Sequence, residues 1–322
     1  MYSTFDSISK LIGDTRLYQL DFPTPLYTKL EFQNLFGSIK DRPALFIIKQ
    51  CLQDGIINKD TIVIESTSGN FGIALASICR ALGIRFIPVI DPNISRQKEQ
   101  LLRLISHAVI KVTEKDQTGG YLLNRIRTVK EFVRNNPNCY NPNQYENPCN
   151  YLSYFYTLGV EICNSFDRLD YLFISVSSGG TIIGLSRRLK EKFPDLTVVA
   201  VDVEGSMIFD DKQMVRKLPG IGASMRSPLF DKASIDRVVI LSQTQIVEGA
   251  YELLKEQALF VGPSAAAAYV GAKICLKDIA DKDAVSLFIS PDHGSSYLDT
   301  VYNPEWVQKN IFSNIEVHEV FE

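Results

Sequence analysis

The sequence predicts an α/β fold built from parallel sheets. Apolar, strand-like runs alternate with helical patterns along most of its 322 residues, and this alternation is typical of parallel sheets covered by helices. With 45% hydrophobic and 22% charged residues, the chain can bury a normal core, and its length suits one large or two modest domains. A turn-rich segment dense in Asn and Pro, residues 135–150, is the best candidate for a crossing between two α/β units.

The first half of the chain predicts its elements in a regular order. Residues 23–31 are expected to contain a short strand. Apolar runs bounded by turn residues then predict strands at residues 61–65, 84–90 and 108–112. Apolar residues spaced three and four apart predict helices at residues 42–54, 72–82, 95–106 and 121–135.

Beyond the Asn/Pro segment the same alternation continues. Strands are predicted at residues 171–176, 197–203, 237–241 and 284–290. Helices are predicted at residues 151–164, 181–192, 245–256 and 264–279. The loop at residues 204–232 is long and glycine-containing, and a long loop inside a compact domain is usually functional.

Charge and hydropathy narrow the possible partners. A net charge of −3 without an extended basic block gives little support for binding to nucleic acid or to an anionic membrane. No apolar run reaches the length of a membrane span and the N-terminus lacks a signal-peptide pattern, so we expect a cytoplasmic protein. The six cysteines include no Cys-x-x-Cys pair and the chain has three histidines, so neither disulfides nor a metal site is expected.

One lysine occupies an unusual place. Lys40 follows a Gly-Ser turn and precedes the predicted helix at residues 42–54. The dipole at a helix start favours anions rather than cations. Lys40 is therefore either a solvated surface residue, which is the common case for a single lysine, or an amine with a chemical role.

Two loops of small residues each join a predicted strand to a predicted helix. The first contains Ser66, Thr67, Ser68 and Asn70, and the second contains Ser177, Ser178, Gly179, Gly180 and Thr181. Backbone N–H groups at a helix start, together with hydroxyls, form a cradle for an anion. The alternative for the first loop is an ordinary turn with a capping serine. The alternative for the second loop is a Rossmann nucleotide site, because Asp202 follows the loop at a spacing that suits the acidic residue of such a site. The G-x-G-x-x-G pattern of a Rossmann site is missing, however.

These segments occur in an order that resembles the fold-type II pyridoxal-phosphate enzymes, the family of cysteine synthase and cystathionine β-synthase. The resemblance covers roughly residues 8–312. It implies an architecture like the tryptophan synthase β-subunit, with two three-layer α/β/α domains and mainly parallel sheets. It further implies a larger cofactor-binding domain at residues 1–36 and 146–322, a smaller mobile substrate-binding domain at residues 37–145, and a homodimer.

The resemblance also implies a role for each motif. Lys40 would bind pyridoxal 5′-phosphate as a Schiff base and serve as general base. Asn70 would contact the cofactor's ring hydroxyl, and Ser264, which is also expected to be a helix N-cap, would face the pyridine nitrogen. The cofactor phosphate would be bound by Ser177, Ser178, Gly179, Gly180 and Thr181. The amino-acid substrates would be bound by Ser66, Thr67, Ser68, Gln144, Gly222 and Arg226.

The sequence departs from the family pattern at two places near these motifs. Leu35 and Phe36 replace the Pro-Gly or Pro-Thr that usually precedes the Gly-Ser turn. Phe71 replaces a threonine whose hydroxyl could contact the substrate carboxylate.

The reaction that the resemblance implies is β-replacement on an activated serine. Segments at residues 203–209, 218–224 and 297–302 are closer to the 2,3-diaminopropionate branch, which implies joining of O-phospho-L-serine and L-glutamate to a siderophore or antibiotic precursor. Such anionic substrates need cationic side chains to bind them. Among the cationic residues of the loop at residues 204–232, we rank Arg226 first as a substrate contact. Two alternatives stay open: a cysteine synthase using sulfide, and a catalytically silent partner that binds pyridoxal phosphate.

Overall fold

The computed structural model describes residues 2–67, 69–117, 119–210 and 214–312. Its strands are β1 (Leu17–Gln19), β2 (Leu26–Leu30), β3 (Ile62–Ser66), β4 (Arg85–Ile90), β5 (Ile110–Lys111), β6 (Cys139–Tyr140), β7 (Tyr171–Ser175), β8 (Thr197–Val203), β9 (Arg237–Leu241) and β10 (Ser286–Ser290). Its helices are α1 (Tyr2–Ser9), α2 (Asp41–Gln53), α3 (Asn70–Leu82), α4 (Arg96–Ile105), α5 (Leu122–Asn135), α6 (Pro148–Tyr156), α7 (Leu158–Ser165), α8 (Gly180–Lys192), α9 (Gln243–Gln257), α10 (Pro263–Leu276) and α11 (Pro304–Asn310).

The chain divides into two compact units. The smaller unit consists of Met1–Gly13 and Asn34–Ser153, and the larger consists of Asp14–Gln33 and Tyr154–Glu322. The expected division assigned the N-terminal residues to the larger domain, whereas the first thirteen belong to the smaller unit. The reason is hydrophobic, because Phe5 of α1 is buried in the same core as residues of α2 and α3.

The smaller unit is organised around a parallel sheet. Its strand order is β5-β4-β3-β6. Successive side chains of a strand point to opposite faces. Val63 and Phe86 therefore join the core formed with α2 and α3, whereas Ile64 and Ile87 pack with Val129 of α5. Both faces of the sheet are covered by helices, as the α/β prediction requires.

The larger unit contains a mainly parallel sheet. Its strand order is β1-β2-β10-β7-β8-β9, and only β1 is antiparallel to its neighbour. Val199 and Val201 of β8 belong to the core that includes α9 and α10, and the alternate residues Val198 and Ala200 are also buried. Burial of both faces is typical of parallel sheets. The predicted α/β fold is confirmed.

Two details of the predicted elements are wrong. The single helix expected at residues 151–164 is two helices, α6 and α7, separated at Thr157 with φ −117° and ψ −84°. Ser264 is not the N-cap of α10; Gly262 is, and Pro263 follows as the first helical residue. Proline is favoured at that position because its missing N–H would have had no partner in the helix.

The described ranges contain neither a membrane-spanning helix nor a cluster of metal-binding side chains. None of their helices is long and apolar enough to cross a bilayer. The same ranges hold no group of three or more His, Cys, Asp and Glu side chains that could bind a metal ion.

Candidate active site

The predicted site residues are divided between the smaller and the larger unit. The smaller unit contains Lys40, Ser66, Thr67, Asn70 and Gln144. The larger unit contains Ser177, Ser178, Gly179, Gly180, Thr181, Gly222, Arg226 and Ser264. Ser68 lies outside the described residues.

Lys40 is the partly buried N-cap residue of α2. Its backbone N–H donates to Ser38 Oγ at 3.2 Å, and the buried Asp41 carboxylate accepts from the Phe36 N–H at 2.6 Å. Between them Gly37 adopts φ +88°, a conformation that glycine takes without strain. The turn's own polar groups therefore fix the backbone at Lys40, without the proline that the family usually has before the turn.

The loop after β3 leads directly into α3. Gly69 is the N-cap and Asn70 is the first helical residue. Thr67 is buried, and its N–H donates to the Val89 carbonyl of β4 at 3.0 Å. A Cβ on Gly72 would lie 2.7 Å from Thr67 Cγ2. The glycine in the first turn of α3 thus makes room for the buried threonine.

Ser66 and Phe71 flank this loop in different ways. Ser66 Oγ is buried and has no hydrogen-bond partner in the described part of the chain. Because an unsatisfied buried hydroxyl is destabilising, a ligand atom that bonds to it would remove that cost. Phe71 is buried in the hydrophobic core of the smaller unit. The residue that replaces the family's threonine therefore contributes to packing.

Glu65, the residue before this loop, was not predicted as a site residue. It is 1% exposed, and its Oε2 accepts from Asn141 Nδ2 at 2.9 Å and from the Asn143 N–H at 2.7 Å. Burial raises the pKa of this carboxyl to about 8, while the backbone bonds from Asn143 and Gln144 and the charge of Arg125 act in the opposite direction. The sequence feature that could have identified Glu65 is a glutamate near the end of an otherwise apolar strand.

In the larger unit, the predicted phosphate loop runs from β7 into α8. Ser178 is buried, Gly179 is the N-cap with φ +90°, and Gly180 and Thr181 begin the helix. A Cβ on Gly179 would lie 2.8 Å from the Phe230 ring. Both the positive φ and the close ring require glycine. The first turn of a helix presents N–H groups without intrahelical partners, so it can bind a phosphate.

The segment around Gly222 is bonded to this loop. Ser177 Oγ donates to the Gly222 carbonyl at 3.1 Å, and the Gly222 N–H donates to the Val176 carbonyl at 2.8 Å. Gly222 has φ +69°, and a Cβ there would lie 2.8 Å from both Val203 Cγ1 and Arg216 Nη1. The loop and the glycine segment are therefore parts of one packed arrangement.

Ser264 is the second residue of α10 and is buried. The N-cap before it, Gly262, lies against Asp292, whose carboxylate would clash with a Cβ on this glycine. Tyr297 Oη donates to Asp292 Oδ2 at 2.5 Å, and burial together with Asp292 raises the pKa of Tyr297 well above its usual range. These contacts fix the start of α10 against the segment that follows β10.

Arg226 is engaged by neighbours in the larger unit. Its guanidinium pairs with Asp231 at 2.5 Å, donates to the Ile208 carbonyl at 3.3 Å and lies 5.1 Å from the Phe230 ring centroid. Both members of the ion pair are exposed, so the pair is weak and a substrate could displace it. Lys212, another cation that the sequence placed in this loop, lies outside the described residues.

The contacts of Asp202 argue against a Rossmann nucleotide site. This residue is 1% exposed, and its carboxylate accepts from the Val203 N–H at 2.9 Å and from Ser206. A carboxylate buried among its own neighbours is not placed to bind a ribose. The glycine turn at α8 and the hydroxyl of Ser66 fit a phosphate-bearing cofactor and an anionic substrate.

Comparison with known proteins gives consistent results. Residues 8–292 match the family described as pyridoxal-phosphate dependent enzyme. The chain is 41% identical over 309 residues to N-(2-amino-2-carboxyethyl)-L-glutamate synthase of Ralstonia nicotianae, covering 94% of this chain and 91% of the relative.

Two solved structures are also similar. One is an O-acetylserine dependent cystathionine β-synthase from Helicobacter pylori, with 31% identity, a TM-score of 0.85, and coverage of 91% of this chain and 97% of the other. The second is a hydrogen sulfide-producing enzyme from Fusobacterium nucleatum, with 29% identity, a TM-score of 0.85, and coverage of 97% and 96%.

Proposed function

The chain belongs to the family of pyridoxal-phosphate dependent enzymes, and from that premise we propose that it joins O-phospho-L-serine and L-glutamate. The observation that carries the proposal is the 41% identity, over 94% of the chain, to an N-(2-amino-2-carboxyethyl)-L-glutamate synthase. In this reaction the Cβ–O bond of O-phosphoserine breaks, and a bond forms from Cβ to the glutamate nitrogen. Phosphate leaves, and the glutamate amine gives up one proton.

The cofactor of this family is pyridoxal 5′-phosphate. We assign its phosphate to the loop formed by Ser177, Ser178, Gly179, Gly180 and Thr181. Asn70 would donate to the ring hydroxyl, and Ser264 would meet the pyridine nitrogen as a neutral partner. When bound, the cofactor supplies an electron sink for the bond broken at the substrate Cα. A neutral partner suits β-elimination and replacement better than transamination.

Lys40 would have two successive tasks. Its Nζ would hold the cofactor covalently, and the same amine, once free, would take the proton from the substrate Cα. The support is its position at the start of α2, where the Gly37 turn and the Asp41 carboxylate fix the backbone. A fixed backbone limits where the amine can reach, which is required for proton transfer at one atom.

The anionic groups of the substrates need donors. We assign the carboxylate of the donor amino acid to Ser66, Thr67, Ser68 and Gln144, with Gly222 allowing close approach of the substrate. The support is the buried Ser66 hydroxyl, which has no partner among the described residues. Arg226 is the proposed contact for a further anionic group, because its ion pair with Asp231 is exposed and exchangeable.

A product screen tests this function. The purified protein is incubated with O-phosphoserine or O-acetylserine, each paired with glutamate, sulfide or homocysteine, and the products are identified by mass spectrometry. We expect the glutamate adduct from O-phosphoserine to dominate. Preferred turnover of O-acetylserine with sulfide would contradict the proposal.

A second candidate function is cystathionine or cysteine synthesis. The observation that favours it is the 31% identity to the O-acetylserine dependent cystathionine β-synthase structure. The same screen decides between the two. A change in the visible absorbance of the bound cofactor on adding either donor would exclude a silent binding partner. We further propose a cytoplasmic homodimer, which gel filtration with light scattering would test for its oligomeric state.

A further inference from the structure

Glu65 connects two segments of the smaller unit. Its backbone lies in β3, one residue before the strand ends at Ser66, and Thr67 follows. Its buried carboxylate bonds to the turn at residues 141–144, through Asn141 Nδ2 at 2.9 Å and the Asn143 N–H at 2.7 Å. The adjacent backbone N–H of Gln144 lies close enough to lower the pKa of this carboxyl. One side chain therefore fixes the turn to the start of the loop after β3.

The turn itself needs such support. Asn143 adopts φ +48°, a left-handed conformation that few residues other than glycine take without cost. On the far side, the Gln144 carbonyl accepts from Asn150 Nδ2 at 2.6 Å. The turn is therefore bonded to Glu65 at Asn141 and Asn143, and to α6 at the Gln144 carbonyl.

We propose that Glu65 is a positioning residue for the donor amino acid, because its carboxylate sets the Gln144 turn against the Ser66–Thr67 segment. This inference rests on the proposed function only in assigning the donor carboxylate to these two segments. Any donor of this reaction class has that carboxylate, so the inference does not depend on which donor or acceptor is used.

A carboxylate suits this task better than a neutral side chain. When ionised it only accepts hydrogen bonds, so the donors of Asn141 and Asn143 can be satisfied together. Bonds to a charged acceptor are shorter and stronger than neutral ones. A carboxamide at the same place carries an NH₂ group, which cannot accept and would face N–H donors.

Among the described residues no cation forms an ion pair with Glu65, although the charge of Arg125 lowers its pKa. Arg125 of α5 is paired with Asp91 at 3.1 Å, and Tyr145 lies within electrostatic reach of Glu65, Arg125 and Asp91. The carboxyl therefore changes protonation near pH 8. Burial disfavours the charge as a whole, but while the carboxyl stays buried its ionisation should strengthen the bonds from Asn141 and Asn143.

The test compares Glu65→Gln with Glu146→Gln in the enzyme with its cofactor bound. Glu146 is a matched control, because its exposed Oε2 accepts from the side chain of the same Asn143 at 2.9 Å. For Glu65→Gln we expect the KM of the donor to rise about tenfold or more, as loss of a bond to a charged group predicts. The cofactor absorbance and the acceptor KM should be unchanged. Glu146→Gln should match the wild type.

Two further measurements distinguish a loss of positioning at the donor site from a general destabilisation of the protein. Hydrogen exchange of the segment at residues 141–144 should accelerate in Glu65→Gln alone. The donor KM of the wild type should fall as the pH rises through about 8, and Glu65→Gln should lose that dependence.

An unchanged donor KM with accelerated exchange would overturn the proposal and leave Glu65 a structural residue. If Glu65→Gln fails to fold, Asn141→Ala, which removes one donor of the same turn, replaces it, with the same expected results for the donor KM and the hydrogen exchange.

Failure of the proposed function can be distinguished from failure of the proposal for Glu65. If the wild type prefers O-acetylserine or sulfide, the function is wrong, and the donor KM of that preferred reaction still tests Glu65.

Discussion

Replacing Gly222 by alanine tests whether the glycine segment and the phosphate loop form one packed arrangement. At φ +69° an L-residue costs about 1–2 kcal/mol. The added Cβ would also lie 2.8 Å from Val203 Cγ1 and Arg216 Nη1. The arginine end can move, but the valine of β8 is part of the core, and overpacking of this kind costs about 1–3 kcal/mol. We expect Gly222→Ala to destabilise the protein by about 2–5 kcal/mol in all.

Gly83 provides a matched control for the backbone contribution. It has the same φ of +69°, but a Cβ there would meet nothing within 4 Å. Gly83→Ala should therefore cost only the conformational part, about 1–2 kcal/mol. The difference between the two variants isolates the packing contribution at Gly222.

The assay is urea unfolding of both variants, together with titration of the cofactor. Because Gly222 bonds to Ser177 and Val176, its displacement should also weaken pyridoxal phosphate binding. Gly83→Ala should leave that affinity unchanged. Equal destabilisation by the two variants, with unchanged cofactor affinity in Gly222→Ala, would refute the reasoning.

Three other changes have definite expected results. Lys40→Ala should lose the borohydride-trapped cofactor adduct found by peptide mass spectrometry, and an adduct on another lysine would contradict the assignment. Since burial raises the pKa of Glu65 from its ordinary value to about 8, the folded state retains a proton that the unfolded state loses between about pH 5 and 8. Stability should fall by up to about 1.4 kcal/mol per pH unit across that window, and Glu65→Gln should flatten the slope in urea unfolding; an unchanged slope would show that other groups cause it. Lys29 is buried and donates to the Thr15 carbonyl and to Glu161 at 2.8 Å. Lys29→Met should therefore lower the free energy of unfolding by about 3–5 kcal/mol. A loss below about 1 kcal/mol in thermal unfolding would contradict a structural role for the Lys29–Glu161 pair.

Local periodicity predicted most of the fold. The strand at residues 197–203 and the strand at residues 237–241 have the bounds that their apolar runs indicated. The strand expected at residues 108–112 is the two-residue β5. β6 was missed, because it has only two residues and a pattern of period two needs a longer run than that to be recognised. α1 was also missed, and its burial depends on contacts with helices distant in the sequence.

The division into two units could not be read from periodicity. The segment Asp14–Gln33 belongs to the larger unit because β2 pairs with β10, more than 250 residues later in the chain. No local pattern encodes a pairing between such distant strands. The Asn/Pro segment, which was the expected crossing, is instead a set of turns fixed within the smaller unit, as the bonds of Asn141 and Asn147 show.

The candidate site was predicted from motifs, whereas its supporting contacts depend on tertiary structure. Lys40, Asn70 and the turn at Gly179 lie at helix starts, where the sequence placed them. The bonds from Asn141 and Asn143 to Glu65 join residues about 77 positions apart, and neither partner identifies the other in the sequence. Resemblance to a family proposes residues that would meet the ligand, and the structure adds their hydrogen-bond partners.

The most direct test of the proposed function follows the nitrogen of glutamate. The enzyme is given O-phospho-L-serine and ¹⁵N-labelled L-glutamate, and phosphate release and product mass are measured together. We predict that phosphate release depends on glutamate, and that each phosphate is matched by one N-(2-amino-2-carboxyethyl)-L-glutamate carrying the ¹⁵N atom. Phosphate release that is independent of glutamate, with no labelled adduct, would contradict the account.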